Sequence, residues 1–150
     1  MTDQPTTGGC LCGAIRYSIA ASATPIYSVI CHCVNCKKAT GTHMVTTSIF
    51  LEPQFTLTSG TPKAYRDAAT DSGTPVFRHF CGDCGSNLYI TSPLLEEIRA
   101  VCSGTLDDAT VKWRPNKGEN AAISFLVIVL LLFLILRDVN ALLTPLCLFV

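Results

Sequence analysis

The chain has 150 residues, enough for one domain, and its Lys plus Arg equal its Asp plus Glu at 11 each. That neutrality excludes binding nucleic acid by bulk phosphate neutralisation, and an apolar content of 49% excludes a chain disordered throughout. Nine cysteines are 6% of the residues, below the density of a small disulfide scaffold, so metal ligation is the first reading.

In chain order, the opening MTDQPTTGG has no basic stretch leading into an apolar run, so no signal peptide is expected. Residues 1–7 are expected to be disordered, and the thiols after them to stay reduced in a cytoplasmic setting. Short β-rich runs follow at 14–19, 26–30, 44–50, 55–58, 76–80, 88–91 and 98–102, each bounded by Gly or Pro. One short helix is predicted over 34–40, closed by Gly41 as a C-terminal cap. No repeat or linker divides residues 8–118, so the fold class is a single, mainly β domain.

The hydrophobicity is not evenly spread. Of the first 120 residues 49 are apolar, against 24 of the last 30, and residues 121–136 are broken only by Ser124. Sixteen helical residues reach about 24 Å, slightly short of a bilayer's hydrocarbon core of about 30 Å. Lys112, Arg114 and Lys117 precede the run, which keeps the domain cytoplasmic if the segment spans a membrane. Residues 119–150 thus read as a hydrophobic tail: a candidate transmembrane anchor, an aberrant terminus from a faulty gene model, or an element packed into the core.

Seven cysteines fall into three groups, Cys10-x-Cys12, Cys31-x-Cys33-x-x-Cys36 and Cys81-x-x-Cys84, while Cys102 and Cys147 stand apart. Two thiolates at such spacing converge on one ion, and two pairs from distant segments close a tetrahedral structural site. The Cys81, Cys84 knuckle, with Gly85 allowing a tight turn, pairs by arithmetic with Cys10 and Cys12. Cys31, Cys33 and Cys36 are left as three sulfurs with an open position, the pattern of a catalytic zinc. Disulfide pairing is opposed by the odd count and the crowded Cys-x-Cys spacing. A nucleic-acid zinc ribbon has only Lys37 and Lys38 as a basic cluster. His32 is flanked by ligands but is expected to turn away; His43 and His79 read as ordinary loop or strand residues, His79 being the nearer to a cleft. Cys102 reads as a small buried hydrophobe, and Cys147 lies in the tail.

GGCLCGAIRY (8–17), CHCVNCKKATG (31–41), FCGDCGSNLY (80–89) and SGTLDD (103–108), in this order, resemble the glutathione-dependent formaldehyde-activating enzyme family, also called the CENP-V domain family. The resemblance covers residues 8–115. It implies an Mss4-like fold of several coiled β-sheets with two zinc ions: a structural one on Cys10, Cys12, Cys81 and Cys84, and an exchangeable, catalytic one on Cys31, Cys33 and Cys36. It also implies a carbon–sulfur lyase that joins glutathione, or another thiol, to formaldehyde. The alternative from the same family is a non-catalytic, zinc-stabilised interaction module of the CENP-V type. Arg16, Lys37, Lys38 and Arg66 are the cations available for glutathione's carboxylates, each equally readable as solvated surface charge. Trp113, Arg114 and Pro115 resemble the start of the family's closing segment, whose remainder the hydrophobic tail replaces.

Overall fold

The computed structural model describes residues 4–108. The described residues form nine antiparallel strands, β1 (Thr6–Gly9), β2 (Arg16–Ile19), β3 (Tyr27–Cys31), β4 (Val45–Leu51), β5 (Phe55–Ser59), β6 (Lys63–Asp67), β7 (Val76–Phe80), β8 (Asn87–Ser92) and β9 (Leu95–Cys102), and one α-helix, α1 (Val34–Thr40). They form a three-stranded sheet in the order β1-β2-β5 and a six-stranded sheet in the order β3-β4-β9-β8-β7-β6. The mainly β expectation holds, with two sheets in place of several. The helix has the predicted bounds, and Gly41 caps it in the left-handed region (φ +66°), its N–H donating to the Lys37 carbonyl at 2.8 Å.

The main core lies where the sheets face one another. Ile15, Tyr17 and Ile19 of the small sheet's side pack against Phe50, Leu88, Tyr89 and Val101 of the large one, and Cys10 and Cys81 belong to the same cluster. An aromatic file crosses this interface: Tyr17 to Phe55 at 5.2 Å between ring centroids, Phe55 to Tyr89 at 4.9 Å, and Tyr89 stacked on His79 at 4.2 Å. A second cluster, Val29, Ile49, Val76, Ile90 and Ala100, belongs to the large sheet alone.

Two strands are absent from the sequence reading. Thr6 and Thr7, placed in a disordered N-terminus, instead begin β1, which pairs with β2 from Thr6 opposite Ile19 to Gly9 opposite Arg16. Their order comes from a distant segment: Asp107 donates its backbone N–H to the Thr7 carbonyl (3.0 Å), and its carboxylate accepts from Thr7 Oγ1 and pairs with Arg16. The SGTLDD stretch therefore laces the end of the large sheet to the small one, with Thr105 Oγ1 bonded to the Tyr17 hydroxyl at 2.8 Å. The other unforeseen strand, β6, is an edge strand exposed along its length except at Asp67, so it lacks the apolar alternation that marks a half-buried strand. No helix among the described residues is long and apolar enough to cross a membrane. The tail, including the candidate span at 121–136, Trp113 and Cys147, lies outside the described residues.

Candidate metal centre

The Sγ atoms of Cys10, Cys12, Cys81 and Cys84 all lie within 4.8 Å of one another, and those of Cys31, Cys33 and Cys36 form a second such group. The structure thus gathers all seven predicted sulfurs into the two sets expected. A tetrahedral ion with Zn–S bonds of about 2.3 Å needs its sulfurs about 3.8 Å apart, whereas a disulfide needs about 2.05 Å. Cys10 to Cys12 is 3.5 Å and Cys12 to Cys81 is 3.7 Å, so the donor set fits a thiolate-bound zinc.

Two chain turns build the first cluster. Cys10 and Cys12 follow β1, where the Cys10 N–H donates to the Ile15 carbonyl and the Ile15 N–H returns to Cys10 Sγ at 3.2 Å. Cys81 leaves β7, and its carbonyl accepts from the Gly85 N–H at 3.0 Å; Gly85, at φ +74°, takes a backbone conformation that side chains disfavour. Ser86 joins the two halves. Its hydroxyl accepts from the Leu11 N–H at 3.0 Å and lies 3.3 Å from Cys84 Sγ, while its carbonyl accepts from the Cys81 N–H at 2.9 Å.

These contacts set the sulfur charges. The Ser86 hydroxyl, with the amides of Ser86 and Cys12, pulls the Cys84 thiol down to about 5. Cys12, although the Ala14 amide favours its thiolate, is pushed up to about 12 by Cys10 and Cys84. Four sulfurs this close cannot all ionise unaided, and a divalent cation removes that conflict.

The second cluster is local. Cys31 ends β3, Cys33 is the N-cap of α1 with its Sγ accepting from the Cys36 N–H at 3.3 Å, and Cys36 is buried in the first turn. Its Cys31 thiol is pushed far up by Cys33 and Cys36 and then by burial. Cys36 also rises: Cys31 and the Arg78 guanidinium favour its thiolate, but Cys33 and burial outweigh them. Among the described residues no fourth His, Cys, Asp or Glu joins this group.

The second cluster has neighbours that the sequence reading did not single out. Arg78 of β7 donates from Nη1 to Cys36 Sγ at 3.6 Å and from Nη2 to Asp67 at 2.7 Å, and Asn35 donates from Nδ2 to both Asp67 oxygens at 3.1 Å. The available signal was Arg78 itself, a charge inside the strand VFRHF. A cavity of about 10 Å³, room for about one water, lies beside them, lined by Thr40, Val45, Arg78, Ile90 and Cys102 among others. Cys102 is buried as expected, and burial followed by the charge at Cys36 pushes its thiol up to about 12.

The remaining residues sort by position. His32 and His43 are exposed and outside both clusters; His79 sits in β7, stacked on Tyr89 with Nε2 3.0 Å from Thr91 Oγ1. His79 lines that small cavity with Arg78 and also borders an open groove of about 730 Å³ lined by Phe77, Tyr89, Glu52, Glu96, Glu97 and Arg99 among others, with none of the cluster cysteines. Arg16 is engaged with Asp107, Lys37 and Lys38 lie in the last turn of α1, and Arg66 is exposed on β6.

Comparison with known proteins agrees with this construction. Residues 5–121 match the family model described as glutathione-dependent formaldehyde-activating enzyme. The fold is similar to that in the crystal structure of a Rhodobacter sphaeroides protein, with a TM-score of 0.53 and 17% identity over 79% of this chain and 94% of that one. At that identity the likeness bears on the fold alone.

Proposed function

Since the chain belongs to the glutathione-dependent formaldehyde-activating enzyme family, we propose that it is a zinc-dependent carbon–sulfur lyase acting on glutathione, or a related small thiol, and formaldehyde. The observation that carries this reading is the three-sulfur cluster: Cys31, Cys33 and Cys36 converge with no fourth donor among the described residues. These three residues would hold the ion, which would supply Lewis acidity and lower the pKa of a thiol brought to it. In the overall reaction the thiol sulfur bonds to the carbonyl carbon, the C=O π pair moves to oxygen, and that oxygen takes the proton the thiol has lost.

The contributions of the chain's own residues follow from their positions. Cys31, Cys33 and Cys36 hold the three fixed corners, with Cys33 locked as a helix cap. Bringing two reactants to one point converts a bimolecular encounter into a positioned one. Cys10, Cys12, Cys81 and Cys84 take the structural part in this reading: they join the β1–β2 turn to the β7–β8 turn, across the two sheets, with Cys12 and Cys81 69 positions apart in the chain. The groove beside His79 is a poor place for glutathione's two carboxylates, because three glutamates and one arginine line it.

The full-length protein is expected to carry about two zinc ions per chain, Cys36→Ser to carry one, and the parent alone to consume formaldehyde in the presence of glutathione. A parent with two ions and no turnover at any thiol concentration sinks the lyase reading and leaves the interaction-module alternative. One ion in both proteins sinks the second site.

A further inference from the structure

Asp67 and Arg78 are the only charged residues buried among the described residues. Burying an ion pair is a costly way to gain stability, since both charges leave water, and two apolar residues of similar volume often serve as well or better. The pair stands at the inner end of the β6–β7 hairpin, where Asp67 of the exposed edge strand lies opposite Val76 of the second core cluster. Its geometry points elsewhere. Asp67 Oδ2 accepts from Arg78 Nε at 3.0 Å and from Nη2 at 2.7 Å, which fixes the guanidinium plane and leaves Nη1 facing Cys36 Sγ at 3.6 Å.

The same carboxylate grips the neighbouring residue. Asn35 Nδ2 reaches both Asp67 oxygens at 3.1 Å and the Ala69 carbonyl at 2.8 Å. Asp67 is held in turn by the Ala69 N–H at 3.3 Å. Residues 35 and 36, the last two of the Cys33-x-x-Cys36 turn, are therefore both tied to the β6–β7 hairpin, one through an amide and one through a sulfur. We propose that Asp67, Arg78 and Asn35 are positioning residues for the three-cysteine site, aiming the Cys36 sulfur so that it completes the three-sulfur face with Cys31 and Cys33. This proposal rests on the reading of that cluster as a metal site. Lysine cannot take the arginine's place, because a single ammonium has no planar fork to bind Asp67 through two N–H groups while presenting a third to the sulfur. Partners of this kind around metal ligands typically change metal affinity by about 10- to 100-fold.

The test is a cobalt(II) titration of the full chain, read in the visible absorption, with the second-site spectrum taken as the parent minus Cys33→Ser. Arg78→Lys is expected to weaken second-site binding by about tenfold or more and to shift that site's band, with first-site binding unchanged. Asn35→Ala, which deletes no charge and keeps the protein measurable if Arg78→Lys does not fold, is expected to move the same band in the same direction by less. Second-site affinity and spectrum left unmoved in the variants that fold overturn the positioning role. So does an equal weakening of both sites, the mark of a general loss of stability. A parent that takes up one cobalt overturns the metal reading of the three-cysteine cluster itself, and this proposal with it.

Discussion

Gly8 is buried where three segments meet. A methyl group built on its Cα would lie 2.4 Å from the Tyr17 ring and 2.6 Å from the Thr105 carbonyl oxygen. Neither neighbour is free to yield, since Tyr17 is in the core and its hydroxyl is bonded to Thr105. Gly8→Ala is expected to cost about 1–3 kcal/mol, lowering the melting temperature of the metal-loaded protein by several degrees, as overpacking does. A melting curve equal to the parent's refutes that contact. His79 gives a prediction in pH. Burial, followed by the charge of Arg99, holds its pKa below 6.5, so the folded state favours the neutral ring. Stability from that preference is present above the unfolded pKa and declines as pH falls below about 6.5. The advantage of the parent over His79→Gln in melting temperature should therefore shrink between pH 7.5 and 5.5; a constant difference refutes it.

Elements differ in how plainly they are written in the sequence. The helix and β7 appear with the bounds predicted, because the cap at Gly41 and the run VFRHF are local signals. The ligand groups are equally plain, since spacing alone brings thiols together. Strands β1 and β6 were hidden because partners make them strands: TTGG has no apolar pattern, and KAYRD buries only its last residue. Asn35, Asp67 and Ser86 were hidden for a related reason, as each acts through a contact that exists only after the sheets assemble. The two cysteine elements also differ mechanically. Cys31 to Cys36 closes a turn next to α1, whereas Cys10 and Cys12 meet Cys81 and Cys84 across the domain. Cys81→Ser is therefore expected to yield insoluble protein, and Cys33→Ser a folded one without activity, judged by circular dichroism and solubility. Equal unfolding of the two refutes this division.

At the scale of the whole molecule, two sheets meet in one core, and three ties cross between them: the aromatic file, the SGTLDD lacing and the four-sulfur cluster. Only the last depends on a cation. Exhaustive chelation under reducing conditions should therefore reduce the cooperative melt of the domain to a broad, low one, because ligation energy in small metal domains is folding energy of about 10 kcal/mol or more. Restoring zinc should bring the sharp transition back, and a melt indifferent to chelator is the contrary result. The sulfur spacing has a further meaning in time. During synthesis the thiols of Cys31, Cys33 and Cys36 come within reach of one another almost as soon as they leave the ribosome, since all three lie within six consecutive residues. Cys10 and Cys12 must wait until about 70 more residues have been added, at roughly 5–20 residues per second, before their partners emerge. For those seconds the growing chain carries two exposed thiols with nothing to close on, and the meeting of the two sheets is among the last events of its folding.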